Sequence, residues 1–132
     1  MRGPSVMPIR SGEDVVRIRQ ETRRFAIEAG MGLVDQTKLV TAASELARNT
    51  LTHGGGGEAT IAFAGVPPRC GVRILFQDHG PGIADIEQAM RDGYTTGKGM
   101  GLGLGGSRRL CKEFSIESKP GSGTRVTIAH GT

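Results

Sequence analysis

The hydrophobic and polar residues follow helical spacing from Ser11 to about Thr52, and strand-like segments lie before and after this range. Between Ser11 and Ala29 the apolar residues recur every three or four positions, which predicts an amphipathic helix with Ser11 as its N-cap. The glycines of GMG end this helix. A second helix is predicted from Asp35, as the capping residue, to about Thr52. Its predicted buried stripe consists of Leu39, Ala43, Leu46, Ala47 and Thr50.

Strand-like segments lie on both sides of these helices. SVMPIR is predicted to be an edge strand because Pro8 has no N–H to donate to a neighbour. After the second helix, EATIAFA and GVRILFQD are predicted to pair across a turn at VPPRCG. A short helix at ADIEQAM, a longer one at LGLGGSRRLCKEF, and strands at FSIESK and TRVTIAH complete the chain. This order predicts an α/β (α+β) two-layer sandwich that forms one domain, residues 1–132.

Composition and charge change this picture little. The chain has 132 residues, the length of one typical domain, and 36% of them are hydrophobic, enough for one core. The net charge of +4 permits an acidic partner without requiring one. Cys70 and Cys111 lack the spacing of zinc ligands and indicate a reducing compartment. The first residues contain no long apolar run, so we expect no signal peptide or membrane span and a cytoplasmic location.

The second predicted helix carries a polar pair outside its apolar stripe. Glu45 and Asn49 are four residues apart, so their side chains lie one above the other on the helix. One interpretation is a solvated polar face. The other is a ligand site, because an amide oxygen together with phosphates suits Mg²⁺ and a carboxylate can polarise a nucleophile. The pair alone does not decide between them.

Asp78 ends a strongly apolar strand and is followed by glycine and proline in DHGPGI. Such a segment is typical of a turn that ends a strand. It is also suited to a planar ligand, since an aspartate at a strand end can accept a hydrogen bond from an exocyclic amine. The glycines allow the backbone to approach a ring closely.

The segment TTGKGMGLGLGG is the most unusual in the chain. Seven of the fourteen residues from Gly93 to Gly106 are glycine. Successive backbone N–H groups that open a helix form an anion cradle, and Lys98 adds a positive charge. The spacing is not that of a P-loop, because Gly99 follows the lysine. A flexible linker is the alternative, although Met100, Leu102 and other apolar residues are not needed in one.

Together these segments resemble a known family. ELARN, DHGPGI, GKGMGLGL and GSGT, in this order, are similar to the four conserved boxes of the GHKL, or Bergerat-fold, ATPases. The resemblance extends from Ser44 to Thr124. We expect no dimerisation or transducer domain, which resembles the branch of anti-sigma factors and switch kinases. Within that branch, DQTKLVTAASELARNT, DHGPGIADIEQAMRDGYTT and GLGLGGSRRLCKEFSIES are most similar to RsbT-type serine/threonine kinases of the bacterial stressosome.

The resemblance implies a mixed β-sheet with helices packed on one face and a site for ATP and Mg²⁺. It implies that Glu45 is the general base, that Asn49 is the Mg²⁺ ligand, and that Asp78 binds the adenine amine with Thr124 beside it. The other positions that it assigns to nucleotide binding are Gly80 and Gly82 after the strand, and Gly97, Lys98, Gly99, Met100, Gly101, Leu102, Gly103, Leu104 and Gly105 over the phosphates.

The resemblance also implies partners. The substrate would be a serine or threonine hydroxyl on a STAS-domain protein, and its phosphorylation would release the kinase to activate a PP2C-type phosphatase. One alternative is a non-catalytic, nucleotide-gated anti-sigma module, which would not need Glu45. The other is a nucleic-acid binder, suggested by four arginines on the first helix. We expect neither nucleic acid nor membrane as a partner, because charge runs are usually solvated and no aromatic stacking set is present.

Overall fold

The structure of the chain is a computed structural model that describes residues 3–66, 69–80 and 103–131. In these ranges the chain forms three helices and five strands. The helices are α1 (Gly12–Glu28), α2 (Leu33–Thr52) and α3 (Gly103–Leu110). The strands are β1 (Ser5–Ile9), β2 (Gly57–Val66), β3 (Arg69–Asp78), β4 (Glu113–Lys119) and β5 (Gly123–His130).

The five strands form one sheet in the order β1-β2-β3-β5-β4. As predicted from Pro8, β1 lies at an edge of the sheet, the position in which proline is tolerated. All four neighbouring pairs are antiparallel. The predicted fold class is therefore confirmed, except that the described strands show no parallel pair. A short turn joins β4 to β5, and only antiparallel neighbours can be joined in this way.

The core lies between the sheet and the helices α1 and α2. Alternate residues of β3 point to one face of the sheet, and Val72, Ile74 and Phe76 on that face are buried. Phe25 of α1 packs against Phe63 of β2, with 4.6 Å between the ring centroids. The predicted stripe of α2 is buried at all its positions, Leu39, Ala43, Leu46, Ala47 and Thr50. In the described part of the chain no helix has the length and apolar character needed to cross a membrane.

The beginning of α2 differs from the prediction. The helix starts at Leu33 with Gly32 as its N-cap, so Asp35 lies in the first turn and does not cap it. The Asp35 carboxylate instead contacts His130, with 2.9 Å between Oδ1 and Nε2. Asp35 still suits its position, because an acidic side chain in the first turn interacts favourably with the helix dipole.

The helix that follows the glycine-rich segment is shorter than predicted. It ends at Leu110, whereas the sequence pattern continued to Phe114, which instead belongs to β4. The backbone N–H of Lys112 donates a hydrogen bond to Nδ1 of His130 on β5, at 3.0 Å. This bond ties the segment that follows the helix to the sheet. The predicted helix at ADIEQAM and part of the predicted turn at VPPRCG lie outside the described residues.

Both cysteines are buried and reduced. Burial raises the pKa of the Cys111 thiol to about 11, so the thiol stays protonated at neutral pH. This agrees with the interpretation of the cysteines as small apolar residues.

Candidate functional site

Asp78 is the buried acid at the end of β3, with only 9% of its surface exposed. Its Oδ1 accepts two backbone N–H bonds, from Gly80 at 2.9 Å and from Thr124 at 3.2 Å. These bonds hold the end of β3 against the start of β5. No donor among the described residues reaches the other oxygen, Oδ2. The site therefore presents one fixed and one available carboxylate oxygen.

Glycines from separate segments pack directly around this carboxylate. A Cβ on Gly54, after α2, would lie 2.6 Å from Asp78 Oδ2. A Cβ on Gly123, at the start of β5, would overlap the Asp78 carbonyl oxygen, and a Cβ on Gly80 would lie 2.7 Å from the Gly54 carbonyl oxygen. Gly123 stands in the segment GSGT that the sequence pattern singled out, but Gly54 was not identified. The available signal was HGGGG, which contains more glycine than a helix end requires.

Glu45 and Asn49 lie one turn apart on α2, and both are half-buried. Neither side chain has a hydrogen-bond or ion-pair partner within the ranges that the structure covers. The backbone carbonyl oxygen of Asn49 accepts hydrogen bonds from the backbone N–H groups of His53, at 2.9 Å, and of Gly54, at 3.3 Å. Gly54 in turn packs against Asp78. The last turn of α2, which contains Asn49, therefore lies next to the end of β3.

Helix α3 begins inside the glycine-rich segment, with Gly103, Leu104 and Gly105 in its first turn. It packs along α2, the helix that carries Glu45 and Asn49. The unpaired N–H groups of a helix N-terminus attract anions. The remaining predicted ligand positions lie outside the described residues, namely Gly82, Gly97, Lys98, Gly99, Met100, Gly101 and Leu102.

Thr124 lies beside Asp78 through the backbone bond described above, and its side chain is bound to a second hydroxyl. Thr124 Oγ1 is 2.8 Å from Ser118 Oγ, and Ser118 Oγ also donates to the Gly123 carbonyl at 3.2 Å. Both side chains are half-buried. The sequence reasoning did not identify Ser118, because a serine in a strand has no distinguishing pattern.

Three of the four arginines of α1 contact acidic or amide groups. Arg17 contacts Asp14 at 2.9 Å, Arg24 contacts Glu21 at 3.5 Å, and Arg23 donates to Gln36 at 3.1 Å. The surface of α1 is therefore mixed in charge and not uniformly basic.

Comparison with known proteins gives one family and several relatives. The family described as histidine kinase-, DNA gyrase B-, and HSP90-like ATPase matches residues 34–130. The chain is 42% identical over 126 residues to the serine/threonine-protein kinase RsbT of Bacillus subtilis, which covers 96% of this chain and 95% of RsbT. It is 30% identical over 108 residues to the anti-sigma F factor of a Thermoanaerobacter species, covering 79% of this chain and 76% of that protein.

Solved structures show the same fold at lower identity. The RsbU and RsbW domains of a Mycobacterium tuberculosis protein match with a TM-score of 0.66 and 22% identity, over 98% of this chain and 32% of that one. The mycobacterial sensor histidine kinase MprB matches with a TM-score of 0.57 and 17% identity, over 96% of this chain and 95% of that one. These likenesses support the fold alone.

Proposed function

Because the chain belongs to the family of histidine kinase-, DNA gyrase B- and HSP90-like ATPases, we propose that it is an ATP- and Mg²⁺-dependent serine/threonine protein kinase. The similarity to a kinase of this specificity covers 96% of the chain. The observation that carries the proposal is local. Helix α2 ends against the Asp78 carboxylate, its Glu45 and Asn49 side chains have no partner among the described residues, and α3 packs against the same helix.

In this proposal the nucleotide is held at its two ends. The available Oδ2 of Asp78 accepts a hydrogen bond from the adenine amine. The phosphates lie at the N-terminus of α3 and under the glycine-rich segment before it, where backbone N–H groups and Lys98 neutralise their charge. Gly54 packs against one side of the Asp78 carboxylate, so the adenine would approach the carboxylate from another side.

The polar residues of α2 fit a magnesium ion that is held mainly by phosphates. Asn49 offers a half-buried amide oxygen that no described group occupies, and Mg²⁺ prefers oxygen ligands while keeping several waters. When bound, the ion would neutralise charge on the transferring phosphoryl group. We assign Asn49 to this role.

Glu45 is the proposed general base. Its carboxylate takes the proton of a serine or threonine hydroxyl as that oxygen bonds to the γ-phosphorus and the bond to the ADP oxygen breaks. The lack of a partner for this carboxylate among the described residues agrees with such a role, because a base engaged in a salt bridge would be a poor acceptor.

The proposed protein partners are inferred from the proteins to which this chain is similar. We infer that the substrate is a STAS-domain protein of a bacterial stressosome and that a PP2C-type phosphatase is activated afterwards. The protein would then act as a single domain in the cytoplasm. The similarity to anti-sigma F factors favours a second candidate, a nucleotide-gated module that binds its target without phosphorylating it.

The direct test is a transfer assay. The protein is incubated with labelled Mg-ATP and purified STAS-domain proteins from the same genome, and incorporation into serine or threonine is mapped. The kinase proposal predicts acid-stable label on a STAS-domain protein. Stable ATP-dependent complexes with no label on any of them would overturn it in favour of the binding module.

A further inference from the structure

Two basic side chains lie on the exposed side of α2, on the same side of the helix as Glu45. Lys38 stands seven residues before Glu45 and Arg48 three residues after it, and both basic residues are exposed. Because an α-helix turns by about 100° per residue, the three side chains leave α2 within a sector of about 80°. We call Lys38, Glu45 and Arg48 the outer stripe of α2.

Neither basic residue of the outer stripe is paired with the acid that stands closest to it on the helix. Asp35 lies three residues before Lys38, and Glu45 lies three residues before Arg48, a spacing at which ion pairs form on helices. The Asp35 carboxylate contacts His130 instead, at 2.9 Å. Within the ranges that the structure covers, Lys38 and Arg48 have no ion pair.

Helix α1 shows that the same spacing does produce ion pairs in this chain. Arg17 lies 2.9 Å from Asp14, and Arg24 lies 3.5 Å from Glu21, each three residues apart. The outer stripe of α2 therefore differs from α1, since its two positive charges are not neutralised by any described acid. Such charges can bind an acidic partner without first giving up an ion pair.

The position of these charges relative to Glu45 indicates what they would meet. In the proposed function, the acceptor hydroxyl comes to Glu45, so the protein that carries it covers the surface around this residue. With a rise of 1.5 Å per residue, Lys38 lies about 10 Å to one side of Glu45 along the helix and Arg48 about 4.5 Å to the other.

These distances correspond to a short stretch of extended chain. An extended segment advances about 3.3 Å per residue, so a residue about three positions from the acceptor lies opposite Lys38. On the other side, a residue about one or two positions from the acceptor lies opposite Arg48.

We propose that the substrate segment carries carboxylates on both sides of its acceptor hydroxyl, and that Lys38 and Arg48 are the specificity-determining residues that bind them. The proposal rests on the proposed function, in which Glu45 takes the proton of a protein hydroxyl. It adds a substrate class, a serine or threonine flanked by aspartate or glutamate. Opposite charges on the two surfaces would also favour the docking of the correct protein over others.

The test measures transfer to the STAS-domain protein that becomes labelled in the transfer assay. Rates at saturating Mg-ATP are recorded against substrate concentration for the wild type, Lys38→Gln and Arg48→Gln. We expect each substitution to raise KM for the protein substrate about two- to fivefold, the range of an exposed charge pair. The kcat and the ATP affinity should stay close to those of the wild type.

Salt dependence distinguishes charge from shape. Added NaCl screens exposed charges, so it should raise the KM of the wild type more steeply than that of the double variant. Arg19→Gln, which removes an exposed arginine from α1, is the matched control and should leave KM unchanged.

Substitutions in the substrate test the contact from the other side. Replacement of the carboxylates within three residues of the mapped acceptor by amides should raise the KM of the wild type. The same replacement should have little further effect on the kinase that already carries Lys38→Gln and Arg48→Gln, because the two sets of changes remove the same interaction.

The outcomes separate this proposal from the proposed function. An unchanged KM in both variants overturns the role of Lys38 and Arg48, and so does a mapped acceptor with no acidic residue within three positions. A loss of ATP affinity in the variants would also overturn it, because these residues would then serve the nucleotide. Absence of transfer by the wild type would overturn the proposed function itself.

Discussion

The two oxygens of Asp78 have different surroundings. Oδ1 is held by two backbone N–H groups, while Oδ2 faces Gly54 and has no donor among the residues that the structure describes. The first oxygen fixes the side chain and the second remains an acceptor. This asymmetry would allow one buried carboxylate to serve both the fold and, in the proposed function, the nucleotide.

Replacement of Asp78 by asparagine tests this acceptor. Gly80 and Thr124 can still donate to the amide oxygen, so the amide NH₂ takes the place of Oδ2 and faces the amine of adenine. We expect ATP affinity to fall about 10- to 100-fold, since a hydrogen bond to a charged group is worth roughly 1.5–3 kcal/mol. Thermal melting with and without Mg-ATP measures this, and a shift as large as that of the wild type would remove Asp78 from the site.

Gly54 is a second residue whose role is steric. Gly54→Ala would place a methyl group against the Asp78 carboxylate, so we expect a loss of roughly 1–3 kcal/mol in unfolding free energy, as for other overpacked sites. ATP affinity should fall as well, because the carboxylate must move. The matched control is Gly12→Ala, where a Cβ would meet open space. Equal stability and ATP affinity of both variants would contradict the close packing.

The sequence pointed to the polar side chains of the proposed site but not to the residues that pack around them. Asp78 and Asn49 stand in recognisable motifs, and the importance of a carboxylate at a strand end follows from its chemistry. Gly54 and Ser118 act through contacts with residues 24 and 6 positions away in the chain. Such contacts exist only once α2, β3 and β5 have assembled.

At the scale of the elements, Asp14 fixes the connection between β1 and α1. Its Oδ2 accepts the Arg10 N–H at 2.8 Å, and its Oδ1 contacts Arg17 at 2.9 Å. The Arg10 N–H and the Arg17 guanidinium hold the pKa of the Asp14 carboxyl below its usual value, although burial acts in the opposite direction. The charged form is therefore favoured in the folded state.

This lowered pKa predicts how stability depends on pH. The contribution of Asp14 is fully present above its unfolded-state pKa of about 3.9 and is lost as the pH falls through the lower folded-state pKa. Asp14→Asn should therefore be less stable than the wild type at pH 7, and the difference should shrink below about pH 4. Urea unfolding at several pH values measures it, with exposed Glu13→Gln as the control. A difference that persists unchanged into acid would contradict the assignment to charge.

Periodicity predicted the existence of the elements better than their ends. The apolar stripe of α2 and the edge position of β1 follow from local pattern and from Pro8. The start of α2 and the end of α3 depend on His130, which contacts Asp35 and Lys112 from β5. A residue 95 positions away cannot be read from a local window.

At the scale of the whole molecule, the sheet order brings separated segments to one place. Strand β5 lies between β3 and β4, so the motif at the end of the chain meets the motif at its middle. Helix α2 ends at the same point, and α3 packs along it. The described parts of the four sequence boxes are thus brought together by this order of strands and helices, which is the basis of the proposed nucleotide site.

In the proposed phosphoryl transfer, Glu45 and Asn49 have different roles. In Glu45→Ala we expect ATP affinity close to that of the wild type and phosphorylation slower by ~10²–10⁴-fold, the usual contribution of a general base. In Asn49→Ala, Mg²⁺-dependent ATP binding and phosphorylation should fall together. Thr41→Ala, exposed one turn earlier on α2, should change neither.

The decisive measurement is therefore the rate of transfer from saturating Mg-ATP to a STAS-domain protein by the wild type and by Glu45→Ala, with the ATP affinity of both determined in parallel. The proposed role of Glu45 predicts that the rate falls and the affinity does not. Transfer by Glu45→Ala at the wild-type rate would contradict it.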